Sequence, residues 1–501
     1  MERWRLPSRS AMSVVREQEV SMHARSARWL VVFAAVGLTV GFVGASGATG
    51  ASARSARRRR VTTAAAATFV SGEMQAQVVG QNGCGTNVAG EPAIHVSRAD
   101  GLFAGSEDGV GSGSELWRQL GTAGGAAASA CALEYRGQPN AVASGVGASG
   151  GDIDLAIASA KNSAGNYNVY VASLNLASIS VATSADNGTT FTQTPVQAGV
   201  PVDDREWIAA YGARTSLVSY HDIATSEIDV VRSDNSGGQY HQISQAIDPT
   251  SPAATSNELG NLVIDHTNTL GTTINALDTS GVGGFYAYQS YVAPKTSADS
   301  TLDEMFVAVS NDGGYTWADR PIPCSYAPGK DLAHNFPNVS VAPNGTLWAS
   351  WSDDTSVYTA NSTDHGKTWT CSGAISTGLS RSIFPWLAAT ANGVDLVYYG
   401  TTDPTGPNMT WSVYFQQNPT SAPNQWAAPQ MLVTVHKGDV CEGGVSCTGG
   451  RQLLDDFGID TDSAGYAHIV YSHDAPSLGG SSTYTGYAVQ TGGQTVGAPN
   501  N

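Results

Sequence analysis

An eight-residue pattern recurs along the chain of 501 residues and constrains its fold more than any other feature of the sequence. The template is Ser-x-Asp-x-Gly-x-Thr-aromatic. Its Asp falls at Asp186, Asp312 and Asp364 in three copies, and residues 233–240 form a degenerate fourth copy. An Asp side chain can accept hydrogen bonds from the backbone amides that follow it, and Gly adopts a positive φ without steric cost. The pattern therefore predicts a structural turn at each of these aspartates, followed by a strand.

Short apolar segments recur in pairs between these turns, and each pair is opened by a polar or charged residue. Seven pairs begin at Glu91, Asp152, Asp204, Glu258, Asn335, Arg381 and Asp456. The repeated turn and two further strands complete most repeats, which predicts an all-β fold, a β-propeller of four-stranded antiparallel blades. Seven openers indicate seven blades. Six remain if the incomplete first and last repeats share one blade, and a pair of β-sandwiches is the alternative architecture.

The repeated turns resemble those of the Asp-box (BNR-repeat) proteins, a family that includes the sialidases. Sialidase propellers have six blades, so the resemblance favours the lower count. It also implies that the Asp-box turns lie at the face opposite the functional site. Site residues are then expected just before the first strand and just after the second strand of each blade.

The chain divides into three parts. Residues 1–60 combine basic residues, an apolar run and small residues, and predict a signal peptide or membrane anchor with a basic linker. Residues 61–83 are interpreted as a flexible lead-in, and residues 84–495 as a single propeller. The expected location is secreted, extracellular or at the cell surface.

Acidic residues dominate the charge, with 42 Asp and Glu against 25 Lys and Arg and a net charge of −17. Most of the acids follow residue 60, so nucleic acid and anionic lipid are excluded as partners. A glycan or glycoconjugate remains the expected partner, with no membrane contact beyond a possible anchor. No cofactor is expected, although a ring of acids would allow a structural Ca²⁺.

Six cysteines in an exported chain predict disulfides, although six allow fifteen connectivities. The simplest pairing joins sequence neighbours: Cys84–Cys131, Cys324–Cys371 and Cys441–Cys447. The chain has no Cys-x-x-Cys pair, so no zinc site is expected.

Three arginines, Arg205, Arg381 and Arg451, occupy openers of different blades, and His334 precedes another. Three guanidinium groups at a channel mouth would bind a carboxylate through bidentate hydrogen bonds. The resemblance to sialidases implies such a triad on the carboxylate of sialic acid. The alternative is that each Arg neutralises a neighbouring acid.

Glycoside cleavage requires an acid for the leaving oxygen and a nucleophile or base. The acid candidates are Asp204, Asp222 and Asp354. Sialidases use a Tyr nucleophile activated by Glu. By that resemblance Tyr398 is a candidate nucleophile, with Glu206 or Glu258 activating it.

One departure from the family stands at the first opener. The Arg-Ile-Pro motif of sialidases is absent, and Glu91-Pro92-Ala93 occupies the comparable place. The repeated turns still predict a sialidase-like, exo-acting glycosidase. Because of this departure, sialic acid is only one of several possible terminal sugars. The alternatives are a non-catalytic glycan- or protein-binding propeller at the cell surface and a polysaccharide lyase.

Overall fold

The computed structural model describes residues 66–74, 78–83, 88–109, 113–121, 130–141, 151–175, 178–196, 203–267, 271–420, 422–444, 447–455, 457–474 and 478–499. The predicted signal or anchor over residues 1–60 lies outside these ranges. Within them, no helix reaches the length and apolarity that crossing a membrane requires.

The described chain consists of antiparallel strands with four short 3₁₀ turns. Strand β1 (Thr68–Glu73) comes first. Blade 1 contains β2 (Gly90–Val96), β3 (Gly101–Glu107), β4 (Ser114–Leu120) and β5 (Glu134–Gly137); blade 2 contains β6 (Ile153–Lys161), β7 (Tyr167–Asn175), β8 (Ser178–Ser184) and β9 (Thr192–Val196); blade 3 contains β10 (Asp203–Tyr211), β11 (Thr215–Asp222), β12 (Glu227–Ser233) and β13 (His241–Gln245). Blade 4 contains β14 (Glu258–Ile264), β15 (Ala287–Ala293), β16 (Glu304–Ser310) and β17 (Ala318–Pro321); blade 5 contains β18 (Asn338–Val341), β19 (Leu347–Ser352), β20 (Val357–Ser362) and β21 (Thr370–Cys371); blade 6 contains β22 (Arg381–Ala389), β23 (Val394–Thr401), β24 (Thr410–Asn418) and β25 (Gln430–Lys437). Blade 7 contains β26 (Gly458–Thr461), β27 (Ala467–His473), β28 (Tyr484–Gly492) and the N-terminal β1, and the 3₁₀ turns are Ala130–Ala132, Pro252–Thr255, Pro323–Ser325 and Ala333–Asn335.

In the described part of the chain, seven four-stranded blades close into a ring, so the predicted propeller and its higher blade count are confirmed and the count of six is wrong. The first strand of each blade contacts the first strand of the next, and β2 of blade 1 contacts β26 of blade 7. Blade 7 is completed from both ends of the chain, because β1 pairs with β28. Thr68–Glu73 therefore belongs to the propeller, although the sequence placed residues 61–83 in a lead-in ahead of it.

Side chains connect the innermost strands of successive blades around the channel. Oxygens of Asp154, Asn261 and Asn338 accept hydrogen bonds from the amides of Ile208, Val339 and Leu387 at 2.8, 2.8 and 2.9 Å, and Asp460 accepts one from Val96 at 2.7 Å. Each innermost strand has an edge without a neighbouring strand, and its buried amides require acceptors. These bonds supply acceptors and join each blade to the next.

The repeated turns have the structure that their sequence predicts. Ser184 Oγ accepts from the Gly188 amide at 2.8 Å, and Asp186 Oδ1 accepts from the amides of Thr189 and Thr190 at 3.0 and 2.8 Å. Asp312 and Asp364 form the equivalent bonds. In the degenerate fourth copy, Asn235 Oδ1 takes the place of the Asp oxygen. The three aspartates are therefore structural residues.

The turns lie at the end of the propeller opposite the openers. In blade 2, the pairing of Ser184 with Val169 places the turn beside the end of the first strand, whereas Ile153, at the start of that strand, pairs with Ser173. Arginines of the preceding blade bind the turn carbonyls: Arg136 Nε donates to Gly188 O at 2.8 Å. The turns therefore stabilise the contacts between blades as well as the hairpins.

Two predicted disulfides are present. Cys324–Cys371 joins blades 4 and 5, and Cys441–Cys447 closes a short loop after β25. Cys131 is also disulfide-bonded, while Cys84 lies outside the described residues.

Candidate active site

The openers of the blades gather at one mouth of the channel, and several of them have an unusual backbone. Glu91, Arg205, Phe336 and Phe384 have φ values of 44°, 47°, 32° and 53°. In β2, β10 and β22 the strand register shifts at the same place. A non-glycine residue at positive φ costs of order 1–3 kcal/mol, and such bulges redirect side chains near functional sites. The bulged openers therefore present their side chains at the mouth.

Arg205 is the centre of the first cluster, and its side chain is only 7% exposed. The guanidinium contacts Glu91 at 3.6 Å, Asp152 at 3.5 Å and Asp455 at 3.3 Å, so carboxylates from three other openers converge on it. The Phe336 ring lies 4.2 Å from the guanidinium carbon, a cation–π contact. Arg205 is thus paired with acids of the protein itself.

Arg451 belongs to the same cluster. Its guanidinium pairs with Asp455 and contacts Glu91 at 3.6 Å. Its side chain is 30% exposed, which makes Arg451 the more accessible of the two arginines. The structure therefore brings Arg205 and Arg451 together, as the sequence predicts, but through shared carboxylates.

Arg381 organises a second cluster on the side of blades 5 and 6. It pairs with Glu442, contacts Asp439 at 3.6 Å and lies 5.3 Å from the Trp411 ring. The Glu442 carboxyl shares a hydrogen bond with Asp354, and the Asn335 amide donates to Asp354. Asn335 directly precedes Phe336, so this cluster adjoins the one around Arg205.

Glu442 is a candidate site residue that the sequence analysis missed. It lies in the loop that the Cys441–Cys447 disulfide closes, outside the strand pairs that defined the openers. The closely spaced cysteines are the signal that could have drawn attention to this loop, because a disulfide restricts the loop that it closes.

Burial makes several carboxyl groups at the mouth weak acids. Burial and the hydrogen bond with Asp354 raise the pKa of Glu442 to about 9, although Arg381 opposes the shift. Burial raises the pKa of Glu258 to about 8, with Arg205 opposing and Asp204 and Asp455 adding to the shift. Glu442 and Glu258 therefore keep their protons near neutral pH, and each lies beside an arginine that forms ion pairs.

The other acids that the sequence predicts as catalytic residues are Glu206, Asp204 and Asp222. Glu206 is 1% exposed, and burial raises its pKa well above the usual range, with Asp152 adding to the shift. Asp204 remains half-buried at the mouth, and burial followed by Asp152 raises its pKa. Asp222 accepts from the Ala224 amide at 2.8 Å, which makes it the cap of the turn between β11 and β12.

Tyr398 is not at the mouth. Its ring is fully buried in a cluster between blades 5 and 6, and its hydroxyl donates to Gln416 Oε1 at 2.6 Å. Burial raises the pKa of this hydroxyl, which opposes formation of a phenolate nucleophile. The assignment of Tyr398 as a nucleophile is therefore wrong. The side chain of His334 lies outside the described part of the structure.

Aromatic residues continue the channel below the mouth. The rings of Trp207 and Trp386 lie 5.2 Å apart, and both line a cavity of about 130 Å³ together with His95, Asp154 and Asp460. Trp207 also lies 5.9 Å from the Arg205 guanidinium. The Arg205 cluster therefore lies directly beside an apolar channel wall.

One group of acids is arranged as metal ligands would be. One oxygen from each of Glu91, Glu107 and Asp152 lies within 4.8 Å of the others. Among the described residues this is the group of His, Cys, Asp and Glu side chains spaced to hold a cation.

No protein-family model matches the chain, and no curated protein matches it. Solved structures share a distant likeness. A GH74 xyloglucanase from Xanthomonas campestris has 13% identity and a TM-score of 0.45, and the match covers 81% of this chain and 54% of that one. An α-L-arabinofuranosidase from Fusarium graminearum has 11% identity and a TM-score of 0.42, covering 84% and 98%. A protein of unknown function from Dyadobacter fermentans has 12% identity and a TM-score of 0.43, covering 84% and 97%.

The chain spans about half the length of the xyloglucanase that it matches. Likenesses at these identities and TM-scores do not define a family or carry a substrate over to this protein. The propeller is established by its own strand pairing, and the resemblance to Asp-box proteins stays a prediction.

Proposed function

We propose that this protein is an exported glycoside hydrolase that binds a neutral glycan at the mouth of the propeller channel. The observation that supports the proposal is a pair of weakly acidic carboxyl sites at one mouth, Glu258 at the start of blade 4 and the hydrogen-bonded Asp354 and Glu442 beside blades 5 and 6. Hydrolysis of a glycosidic bond requires a proton donor and a second carboxylate as base or nucleophile.

The Asp354–Glu442 pair is assigned the role of proton donor. Burial and the neighbouring Asp354 hold the pKa of Glu442 near 9, so the pair retains its proton at neutral and mildly alkaline pH. Arg381 contacts Glu442 and stabilises the carboxylate that remains after proton transfer.

Glu258 is assigned the role of base or nucleophile. It is the first residue of β14, half-buried, with Asp204 and Arg205 as charged neighbours. Asp354 and Glu442 share one hydrogen bond and lie too close together to flank a sugar bond on their own, because the two carboxyl groups of glycosidases stand about 5–9.5 Å apart. A second carboxyl site on the same mouth is therefore needed, and Glu258 provides it.

A neutral sugar suits the charge of the mouth better than sialic acid does. Among the described residues, Arg205 contacts three carboxyl groups, Arg451 contacts two and Arg381 contacts two. A substrate carboxylate would have to displace these partners and enter a region already rich in acids, which is electrostatically unfavourable.

A panel of neutral and sialylated aryl glycosides and polysaccharides tests the proposal. We expect turnover on a neutral substrate, and a loss on the order of 10²–10⁴-fold in Glu442→Gln and in Glu258→Gln, because each removes an acid or base. Glu227→Gln is the matched control, since this acid lies at the same end of blade 3 away from both carboxyl sites, and we expect its rate to equal that of the wild type.

Three outcomes would contradict the proposal. Full activity in both variants would exclude the assigned residues. Saturable glycan binding without turnover on any substrate would indicate a non-catalytic binding propeller. A product that absorbs in the ultraviolet through a new double bond would indicate a lyase.

A further inference from the structure

Three carboxyl groups from neighbouring blades converge on the side of the mouth formed by blades 1 and 2. Glu91 lies at the start of β2, Glu107 ends β3 and Asp152 directly precedes β6. One oxygen of each lies within 4.8 Å of the other two. Ligands that bind Ca²⁺ at about 2.3–2.6 Å stand at most about 5 Å apart across the ion, so the three oxygens fit one coordination sphere.

A fourth carboxyl group, Glu206, gives an independent indication of a ligand. Its side chain is 1% exposed, and neither oxygen has a hydrogen-bond partner among the described residues. Among its charged neighbours, Asp152, a member of the cluster, has the strongest interaction with Glu206, and the two acids repel each other. A buried carboxylate without a partner is strongly unfavourable, and a cation beside it removes that penalty.

Glu91 is also incompletely satisfied. It is 3% exposed, and its Oε2 atom accepts no hydrogen bond from any described residue. The nearest guanidinium nitrogen, Arg205 Nη1, lies 3.6 Å away, which is longer than a hydrogen bond. Arg205 also contacts Asp152 and Asp455, so its single charge is shared among three carboxyl groups of the described residues.

We propose that Glu91, Glu107 and Asp152, with Glu206 as a buried supporting acid, bind a divalent cation, with Ca²⁺ preferred. The ligands are oxygens alone, which suits hard cations, and the absence of His and Cys from the group disfavours zinc. Ca²⁺ accepts carboxylates in variable number and geometry, whereas Mg²⁺ demands a near-octahedral site. The ion would join blades 1, 2 and 3 at the mouth.

Titration of the full chain with CaCl₂, after removal of metal with EDTA, tests this site by calorimetry and by thermal unfolding. We expect saturable binding and a Tm that rises with Ca²⁺ concentration, because a ligand of the folded state stabilises it. We expect MgCl₂ to bind more weakly. The double variant Glu107→Gln/Asp152→Asn should lose affinity by about 10-fold or more, since it removes two charged ligands.

The Glu227→Gln variant provides the control, because it removes one negative charge from the same end of the propeller without touching the cluster. It should bind Ca²⁺ as the wild type does. Near-ultraviolet circular dichroism in EDTA checks that the double variant folds. If it does not, the single Glu107→Gln variant, altered at a half-buried strand end, carries the test.

No saturable Ca²⁺ response in the wild type, or equal affinity in a folded variant, would overturn the proposal, and equal binding of Mg²⁺ would overturn the preference for Ca²⁺. None of the four acids has a catalytic step in the proposed hydrolase. The calcium titration measures binding and unfolding and does not measure turnover. A negative result in the titration can therefore be distinguished from a negative result in the glycoside assays.

Discussion

At the scale of single residues, the mouth is governed by the balance between few arginines and many carboxylic acids. Arg205 illustrates this balance, because a side chain that is 7% exposed contacts acids from three other openers. Removing one member of such a buried cluster leaves charges without partners, which is costly. The arginines therefore position the acids, and in the proposed hydrolase the acids transfer the proton.

The pH dependence of turnover follows from two of these acids. Glu258 acts as a base only when ionised, which requires pH above about 8, and Glu442 donates a proton only below about 9. We expect kcat/KM to rise as pH increases through about 8 and to fall through about 9, giving an alkaline optimum. Initial rates on the best neutral glycoside, measured across this range in one buffer series, check the profile.

A contradictory result is easy to recognise. A maximum below pH 6 would be incompatible with both assignments. In Glu442→Gln, residual activity should lose the decline at high pH while keeping the rise that belongs to Glu258.

At the scale of the elements, the recurring turn combines a local motif with a contact between blades. Its Asp binds backbone amides within the turn, and its carbonyls accept from arginines of the preceding blade. Burial alone would raise the pKa of Asp186, but the hydrogen bonds from Thr190, Ser184 and Thr189 outweigh it and lower the pKa to about 2. The ionised Asp is therefore the form that the folded turn stabilises.

Replacing Asp186 should reveal this contribution. We expect Asp186→Ala to reduce the free energy of unfolding by about 1–3 kcal/mol, because turn amides lose their acceptor. Asp186→Asn should lose less, since Asn235 fills the equivalent position in blade 3. Urea unfolding monitored by Trp fluorescence measures both.

The sign of the pH effect follows from the lowered pKa of Asp186. The stabilisation is present above the pKa of an unfolded Asp, near 4, and disappears as pH falls towards about 2. The difference between wild type and Asp186→Ala should accordingly narrow on acidification. A difference that stays constant down to pH 2 would show that the charge of Asp186 does not matter.

At the scale of the whole molecule, closure of the ring depends on strand β1. β1 pairs with β28, and Glu73 Oε2 lies 2.6 Å from His473 Nε2 on β27. A ring of blades leaves few exposed strand edges, and an open seventh blade would expose β28.

Truncation tests this closure. A chain that begins at Val78 lacks β1, and we expect a lower Tm and concentration-dependent aggregation compared with a chain that begins at Ala66. Scanning calorimetry and light scattering on the two proteins measure the effect. Identical melting and dispersity would show that β1 is dispensable for closure.

The sequence alone determined the repeating unit of this protein. The spacing of Ser184, Asp186 and Gly188 specifies a local turn, and alternating apolar strands specify four-stranded blades, because both depend on residues close together in the chain. The same argument from neighbouring residues predicts that Arg205, Glu258 and Arg381 lie at one end of the ring.

Only the tertiary structure decided which of these residues meet. Glu91 and Arg451 are 360 positions apart in the chain, yet their side chains lie 3.6 Å apart because blade 7 closes against blade 1. Glu442 belongs to no repeated pattern that would mark it as a residue of the mouth. The sequence predicts Tyr398 as a residue of the mouth, but the packing of blades 5 and 6 buries it. Charge pairing and burial are properties of the closed ring, so the local sequence does not encode them separately.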